Sequence, residues 1–211
     1  VPCILEERID FAWEGSVVAA RGLDRSFRAF PLVRNDHARH ILDITTAPAP
    51  EATDATRREA EEIARILLDR LDVVGVLCIE FFVEHDGGLR VNELAPRPHN
   101  SGHWSIEGAE TSQFEQQIRA VCGLPLGSTH MRAPGAAMAN LLGDDWPTGS
   151  EPDWASALAV PGLHLHLYGK ADPRPGRKMG HVTALGATPQ AAVDTVRRGR
   201  DLLRRCAPVV S

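Results

Sequence analysis

Apolar and polar positions follow two rhythms along the chain, and the change from one to the other marks out the elements. Short apolar, β-branched runs bounded by Gly, Pro, Asn and Asp predict strands over residues 16–21, 26–33, 41–46, 74–84, 89–95, 135–142, 163–168 and 182–185. Residues 2–9 read the same way. Helical spacing takes over at 51–71, where Ile63, Ile66, Leu67 and Leu71 line one side of a Glu- and Arg-rich stretch whose charges form a solvated face. A second helix is predicted over 111–122, with Ser112 and Glu115 at capping-box spacing and Gly123 and Pro125 as its stop. A short helix follows at 151–158, and a last one opens with Thr188 as cap and Pro189 as first helical residue. The mixture gives an α/β (α+β) fold. Its character changes between 124 and 134, which divides the chain into 1–128 and a smaller, β-rich 129–211.

Two of the predicted strands form a hairpin around His85-Asp86-Gly87-Gly88. With 85–88 as the loop, Glu84 faces Leu89, and counting back sets Glu80 opposite Glu93 on one sheet face. Facing carboxylates repel, so a cation between them is expected. Two hard oxygen ligands, with room for water and phosphate oxygens, suit Mg²⁺ better than Ca²⁺ or Zn²⁺. The alternative is a one-residue slip that turns one carboxylate to the other face. A second hairpin, around Gly22-Leu23-Asp24-Arg25, joins 16–21 to 26–33 and leaves His37 in the loop that follows.

Directly after the Glu80/Glu93 hairpin comes the densest chemistry, Val91-Asn92-Glu93-Leu94-Ala95-Pro96-Arg97-Pro98-His99-Asn100-Ser101-Gly102-His103-Trp104. Its prolines and glycine exclude a regular helix or a central strand. A second polar cluster, Lys170 to His181, crowds basic side chains onto a Pro- and Gly-rich backbone, a chemistry matched to phosphate. His164 and His166 share a strand face, but no third ligand accompanies them, and they are read as paired sheet-face histidines. Gln113 and Phe114 are read as packing and support.

The stretch 92–104, with Thr111-Ser112-Gln113-Phe114-Glu115-Gln116 and Gly123-Leu124-Pro125-Leu126, resembles the 5-(carboxyamino)imidazole ribonucleotide synthase family of ATP-grasp enzymes. Ala95 stands where the wider superfamily commonly has a metal-binding Asn, a departure that also fits this family. The resemblance implies an ATP-grasp large lobe followed by a small C-terminal domain, lacking a dinucleotide-fold-like first domain and the small lobe. A start without Met agrees with a fragment. It implies ATP contacts at Glu6, Glu7, Arg8, Ile9, Glu14, His37, Asn92 and Glu93, and Mg²⁺ at Glu80 and Glu93. Arg97 and His99 would be catalytic, Arg97 reaching phosphate or carboxylate oxygens and His99 handling a proton. Asn100 and Ser101 would position bicarbonate or the aminoimidazole, and Lys170 and Arg177 the ribotide phosphate. The implied reaction carboxylates 5-aminoimidazole ribonucleotide with bicarbonate at the expense of ATP, through carboxyphosphate. A formate-dependent glycinamide ribonucleotide transformylase shares the Pro-Arg-Pro-His loop and remains an alternative, as does a non-catalytic interaction module.

Composition narrows the picture a little further. A net charge of −5 argues against nucleic acid as a partner. Cys3, Cys78, Cys122 and Cys206 form no Cys-x-x-Cys pair, so reduced thiols and a cytoplasmic setting are expected, and no apolar run is long enough for a bilayer. The family resemblance adds a homodimer.

Overall fold

The computed structural model describes residues 3–147 and 151–205. Cys206 lies outside them. Nine strands form one sheet in the order β6-β5-β1-β3-β4-β7-β9-β8, with β2 paired to β1, and every pairing is antiparallel. The strands are β1 (Trp13–Arg21), β2 (Phe27–Ala29), β3 (Val33–Ala38), β4 (Ile41–Ala47), β5 (Gly75–Val83), β6 (Leu89–Ala95), β7 (Gly135–Leu142), β8 (Leu163–Leu167) and β9 (Lys178–Gly186). The helices are α1 (Asp54–Arg70), α2 (Ser105–Gly108), α3 (Gln113–Val121), α4 (Trp154–Leu158) and α5 (Pro189–Leu203). Among the described residues no helix is long and apolar enough to cross a membrane.

Alternation decides what each sheet face covers. Val17 and Ala19 of β1, with Leu77, Ile79 and Phe81 of β5, pack on Ala60, Ala64 and Leu68 of α1. Their neighbours Val18, Ala20, Val76 and Cys78 pack with Trp104 of the polar loop on the other face. Strand β7 divides likewise: Ala137, Ala139 and Leu141 meet α5, while Ala136 and Met138 join the Trp104 cluster. Even-numbered positions of β1, β5 and β7 therefore look toward the loop, and Glu14, Ser16, Glu80 and Asn140 are among them. Ser112 and Thr188 cap α3 and α5 where the sequence places them, while α1 starts later than the predicted 51, with Thr53 as its cap; each of the three side chains accepts a main-chain N–H from the first turn of its helix.

Several expectations need correction. Residues 3–11 form no strand. β-Propensity needs a paired edge to become structure, and Ile4 and Leu5 are exposed instead. The predicted strand 26–33 splits into β2 and β3, because Pro31 has no N–H for the ladder. His37 sits in β3 rather than in a loop, beside a bulge between Asp36 and His37. The last strand starts at Lys178 rather than at residue 182, held by the β7 ladder, so Lys178 leaves the basic loop for the sheet. A 3-10 turn over Asn100–Gly102 and the single turn of α2 follow the prolines of the polar loop.

The Glu80/Glu93 pairing is present, though by a different route from the one expected. The turn takes in Glu84, whose N–H donates to Gly88 O while Gly87 N–H donates to Glu84 O, so Val83 pairs with Leu89. That register alone would set Asn92 against Glu80. A bulge between Glu80 and Phe81 absorbs one residue of β6 and brings Glu93 opposite Glu80.

Candidate functional site

On the loop side of the sheet lies an open, largely polar cavity of about 450 Å³, lined among others by His37, Leu42, Glu80, His99, Lys170 and Lys178. Glu80 comes from β5, His37 from β3, His99 from the polar loop, Lys170 from the basic loop and Lys178 from β9. The Glu80 carboxyl is held above the ordinary carboxylate range, first by burial and then by Glu93, with Glu14 adding to the effect while His37 and Lys178 oppose it. Burial likewise lowers the Lys178 ammonium, opposed by Glu80. Like charges set opposite each other on adjacent strands favour a cation beside them. Among the described residues no three or more His, Cys, Asp or Glu side chains form a metal cage. Glu80 in the cavity wall with Glu93 paired beside it suits an ion such as Mg²⁺, which keeps water and phosphate among its ligands.

His99 Nε2 lies 3.6 Å from Glu80 Oε1. Burial, followed by the charges of Arg97 and Lys178, pushes the imidazole down to about 4, so the ring is neutral near pH 7. Its main chain is clamped by Gln113, whose Oε1 accepts from His99 N–H at 2.9 Å while Nε2 donates to His99 O at 2.7 Å. Gln113 is fully buried, and a Cβ on Gly102 would lie 2.4 Å from its Oε1, so glycine is required where the loop passes the amide. Gln113 Nε2 also lies 3.0 Å from His103 Nδ1. Behind it, His103, His181 and His166 form a ring cluster in which Tyr168 Oη meets His181 Nδ1 at 2.9 Å and His166 Nε2 meets Glu107 Oε1 at 2.7 Å. Desolvation lowers His103 to about 4 and His181 to about 3.

Asn100 and Asn140 exchange amide hydrogen bonds of 3.0 and 2.6 Å, and Asn140 spends its second N–H on Leu42 O at 2.7 Å. Ser101 is fully buried, so its hydroxyl does not reach the cavity. The substrate contact expected of that side chain is replaced by bonds inside the protein, because the 3-10 turn points it into the sheet. Arg97 is exposed at the mouth, its Nη1 donating to Pro98 O at 3.2 Å. Lys170 lines the cavity and donates to Lys178 O at 2.7 Å. Arg177 is not part of the wall and donates to Asp172 O at 3.0 Å, while Lys178 next to it is. His37 Nδ1 and Glu14 Oε2 lie 2.8 Å apart above Glu80. Glu93 is exposed beside its partner.

A second cavity of about 250 Å³ is lined by Glu6, Glu7, Ile9 and Asn92 together with Phe82 and Arg90. Four residues expected to touch ATP thus share one recess at the β5–β6 edge, while Arg8 is exposed and outside it. Lys178, Asn140 and Ser16 were not singled out by the sequence reading. The available signal was a polar residue at an inward position of an otherwise apolar strand, which Ser16 and Asn140 both supply.

Comparison with known proteins gives this arrangement a context. Residues 1–114 match the ATP-grasp domain, and residues 136–195 match the phosphoribosylaminoimidazole carboxylase C-terminal domain. The N5-carboxyaminoimidazole ribonucleotide synthase of Pseudomonas aeruginosa is 49% identical over 199 residues, covering 93% of this chain and 52% of that protein. That of Bacillus subtilis is 45% identical over 181 residues, covering 86% and 46%. The crystal structure of N5-carboxyaminoimidazole ribonucleotide synthetase from Thermus thermophilus superposes with a TM-score of 0.84 at 46% identity, over 94% of this chain and 52% of that one. The Aspergillus clavatus synthase, in complex with ADP and 5-aminoimidazole ribonucleotide, superposes with a TM-score of 0.82 at 33% identity, over 92% and 52%. The chain spans about half the length of the curated relatives it matches. By its matched domain and by the sheet that carries it, the chain belongs to the ATP-grasp family, and within that family it is similar over most of its length to N5-carboxyaminoimidazole ribonucleotide synthases.

Proposed function

We propose that this chain forms the larger part of the active site of an ATP-dependent ligase. The enzyme carboxylates 5-aminoimidazole ribonucleotide with bicarbonate and releases ADP and phosphate. The observation that carries the reading is the 450 Å³ cavity, where Glu80 and His99 of the ATP-grasp part meet Lys170 and Lys178 of the C-terminal part. One wall is suited to a metal and a nucleotide, the other to an anionic substrate.

Residues 1–128 serve as the ATP-grasp lobe and 129–211 as the C-terminal domain. Glu6, Glu7 and Ile9, with Arg8 alongside, take the adenosine end of ATP, and Asn92, Glu93, Glu14 and His37 lie on the way to its phosphates. Glu80 and Glu93 hold Mg²⁺, which when bound offsets the negative charge of the phosphate oxygens. Bicarbonate attacks the terminal phosphoryl group to give carboxyphosphate, and its carboxyl carbon passes to the exocyclic amine of the ribotide. Phosphoryl transfer of this kind asks the protein chiefly for alignment and charge neutralisation. Arg97 supplies a cation with a planar fork for the carboxylate or phosphate oxygens. Asn100 is held by Asn140 for the aminoimidazole, and Lys170, with Arg177 close by in sequence, receives the ribotide phosphate. The working protein is a cytoplasmic homodimer, as the family resemblance implies.

The test uses the protein as the organism makes it. ADP release is measured with bicarbonate or formate, each with 5-aminoimidazole ribonucleotide or glycinamide ribonucleotide. The reading requires turnover with bicarbonate and the aminoimidazole alone. Turnover with formate assigns the transformylase reaction, and absence of ATP–Mg²⁺ binding by calorimetry leaves an interaction module.

A further inference from the structure

Beneath His99 a buried row of hydroxyls and amides crosses three strands. Thr45 Oγ1 of β4 lies 3.0 Å from Asn35 Oδ1 of β3, Asn35 Nδ2 lies 2.9 Å from Ser16 Oγ of β1, and Ser16 Oγ lies 2.7 Å from Ser101 Oγ. Ser101 Oγ then lies 2.8 Å from His99 Nδ1. Thr45, Ser16 and Ser101 are fully buried and Asn35 is 3% exposed, so water does not enter the chain. A row of this kind is costly to bury unless every member is satisfied, and here each has its neighbour.

Its direction is fixed at one end. Ser101 N–H reaches His99 Nδ1 at 3.3 Å, and a main-chain N–H only donates, so Nδ1 is an acceptor. Ser101 Oγ therefore also gives its proton to Nδ1. It must then accept from Ser16, which accepts from Asn35 Nδ2, leaving Asn35 Oδ1 to accept from Thr45. Each hydroxyl has one proton to give, so the row runs one way, from Thr45 to His99. A neutral imidazole with Nδ1 bare carries its proton on Nε2, the nitrogen that faces Glu80 Oε1 and the cavity.

We propose that Ser101, Ser16, Asn35 and Thr45 are positioning residues that lock His99 as an Nε2–H donor, so that it offers a hydrogen bond to an oxygen in the cavity and accepts no proton there. That this oxygen belongs to the carboxyl group in transfer rests on the function proposed above; the locked tautomer does not. His99 then acts as a fixed electrophile, like the main-chain donors of an oxyanion site. Its value lies in needing no reorganisation when charge develops. The proton handling first expected of His99 gives way to hydrogen-bond donation.

The test is ¹⁵N NMR of the ring nitrogens in the histidine-labelled, naturally produced protein, with the His99 signals assigned by their loss in His99→Gln. A bare Nδ1 and a protonated Nε2 are expected. In Ser101→Ala the ring should become a mixture of tautomers, and kcat should fall about tenfold with KM unchanged, the worth of one well-aimed hydrogen bond. Thr45→Val, nearly isosteric and remote from the cavity, should shift the tautomers in the same direction. A protonated Nδ1 in the wild type, a Ser101→Ala ring identical to the wild type, or an unchanged kcat in that variant overturns the proposal. The wild-type spectrum decides even where a variant does not fold. A locked ring in a protein that carboxylates nothing keeps the tautomer and removes the functional reading.

Discussion

The loop over residues 96–104 and the loop over 169–177 read alike in sequence, both polar and both cut by Pro and Gly, the first carrying Arg97 with His99 and His103 and the second Lys170, Arg174 and Arg177. In the folded chain they are opposites. The first is sewn into the sheet: Gln113 clamps the His99 main chain, Asn140 pairs with Asn100, Ser16 holds Ser101, and Trp104 is 1% exposed. The second stays in solvent and is tied by a few bonds, Lys170 to Lys178 O, Arg177 to Asp172 O and Gly176 N–H to Asp144 Oδ2. Rigid donors serve where charge develops during reaction, whereas an anion already formed, such as a phosphate, needs cations with reach. The contrast separates groups expected to govern kcat from groups expected to govern KM.

Acid should break the contrast most strongly, because only the buried loop rests on neutral histidines. His181 and His103 have folded values of about 3 and about 4 against an ordinary 6.5, so the unfolded chain binds more protons between those limits. Stability contributed by keeping these rings neutral is present above 6.5 and is lost as the pH falls below it, by up to about 1.4 kcal/mol per pH unit for each ring. His99, also at about 4, adds a third such ring, so urea denaturation from pH 7 to pH 5 should show this slope and His181→Gln should remove roughly a third of it. A flat profile would mean the ring cluster is wetter than its packing indicates. On the functional side, Arg97→Ala should lower kcat by about 10²–10³, as expected for removal of a preorganised donor to a developing anion. If the loss appears wholly in KM, Arg97 belongs with the basic loop.

Next in size is Gln113→Ala, which strips both partners from the His99 main chain and leaves a buried N–H and C=O unsatisfied. The cost should be about 1–3 kcal/mol for each group left bare, less where water enters the space. Measured by urea midpoint, a loss under about 0.5 kcal/mol, the range of an ordinary surface change, would show that the loop is held without this clamp.

What was legible in the sequence was the pattern that local chemistry enforces. The hairpin of β5 and β6 was legible from its turn residues, with Glu80 and Glu93 counted onto one face, and Ser112 and Thr188 stand at the helix starts as capping physics requires. The bulge beside Glu80 was not legible, since it depends on how the turn closes, and the correct pairing came from a loop drawn one residue too short. Lys178 was missed for a non-local reason: it is strand only because β7 pairs with it. Residues 3–11 failed the other way: they have strand composition and lie beside the β6 edge, yet they form no strand. Thr45, a polar position in the predicted strand 41–46, was visible, whereas Asn35 lies beyond the predicted strand 26–33 and became strand only in the fold; their partners lie on other strands and only the register brings them together.

The smallest effect sharpens the comparison from the exposed side. Lys170 has a solvated ammonium bonded to one main-chain oxygen and poised 5.7 Å from the Tyr168 ring, so Lys170→Ala removes little that holds the fold together. Stability should change by less than about 0.5 kcal/mol, as for most surface substitutions. The loss should appear as a rise of about tenfold in KM for the ribotide, the size of one charge-assisted hydrogen bond, with kcat nearly unchanged because a phosphate is contacted equally before and during reaction. Raising ionic strength should weaken ribotide binding in the wild type and less so in the variant, since an exposed cation is screened within about 10 Å at 0.1 M salt. Should Lys170→Ala instead lower kcat at saturating ribotide, the basic loop would share the fixed role of the buried one, and the division between rigid donors and reaching cations would fail at this residue.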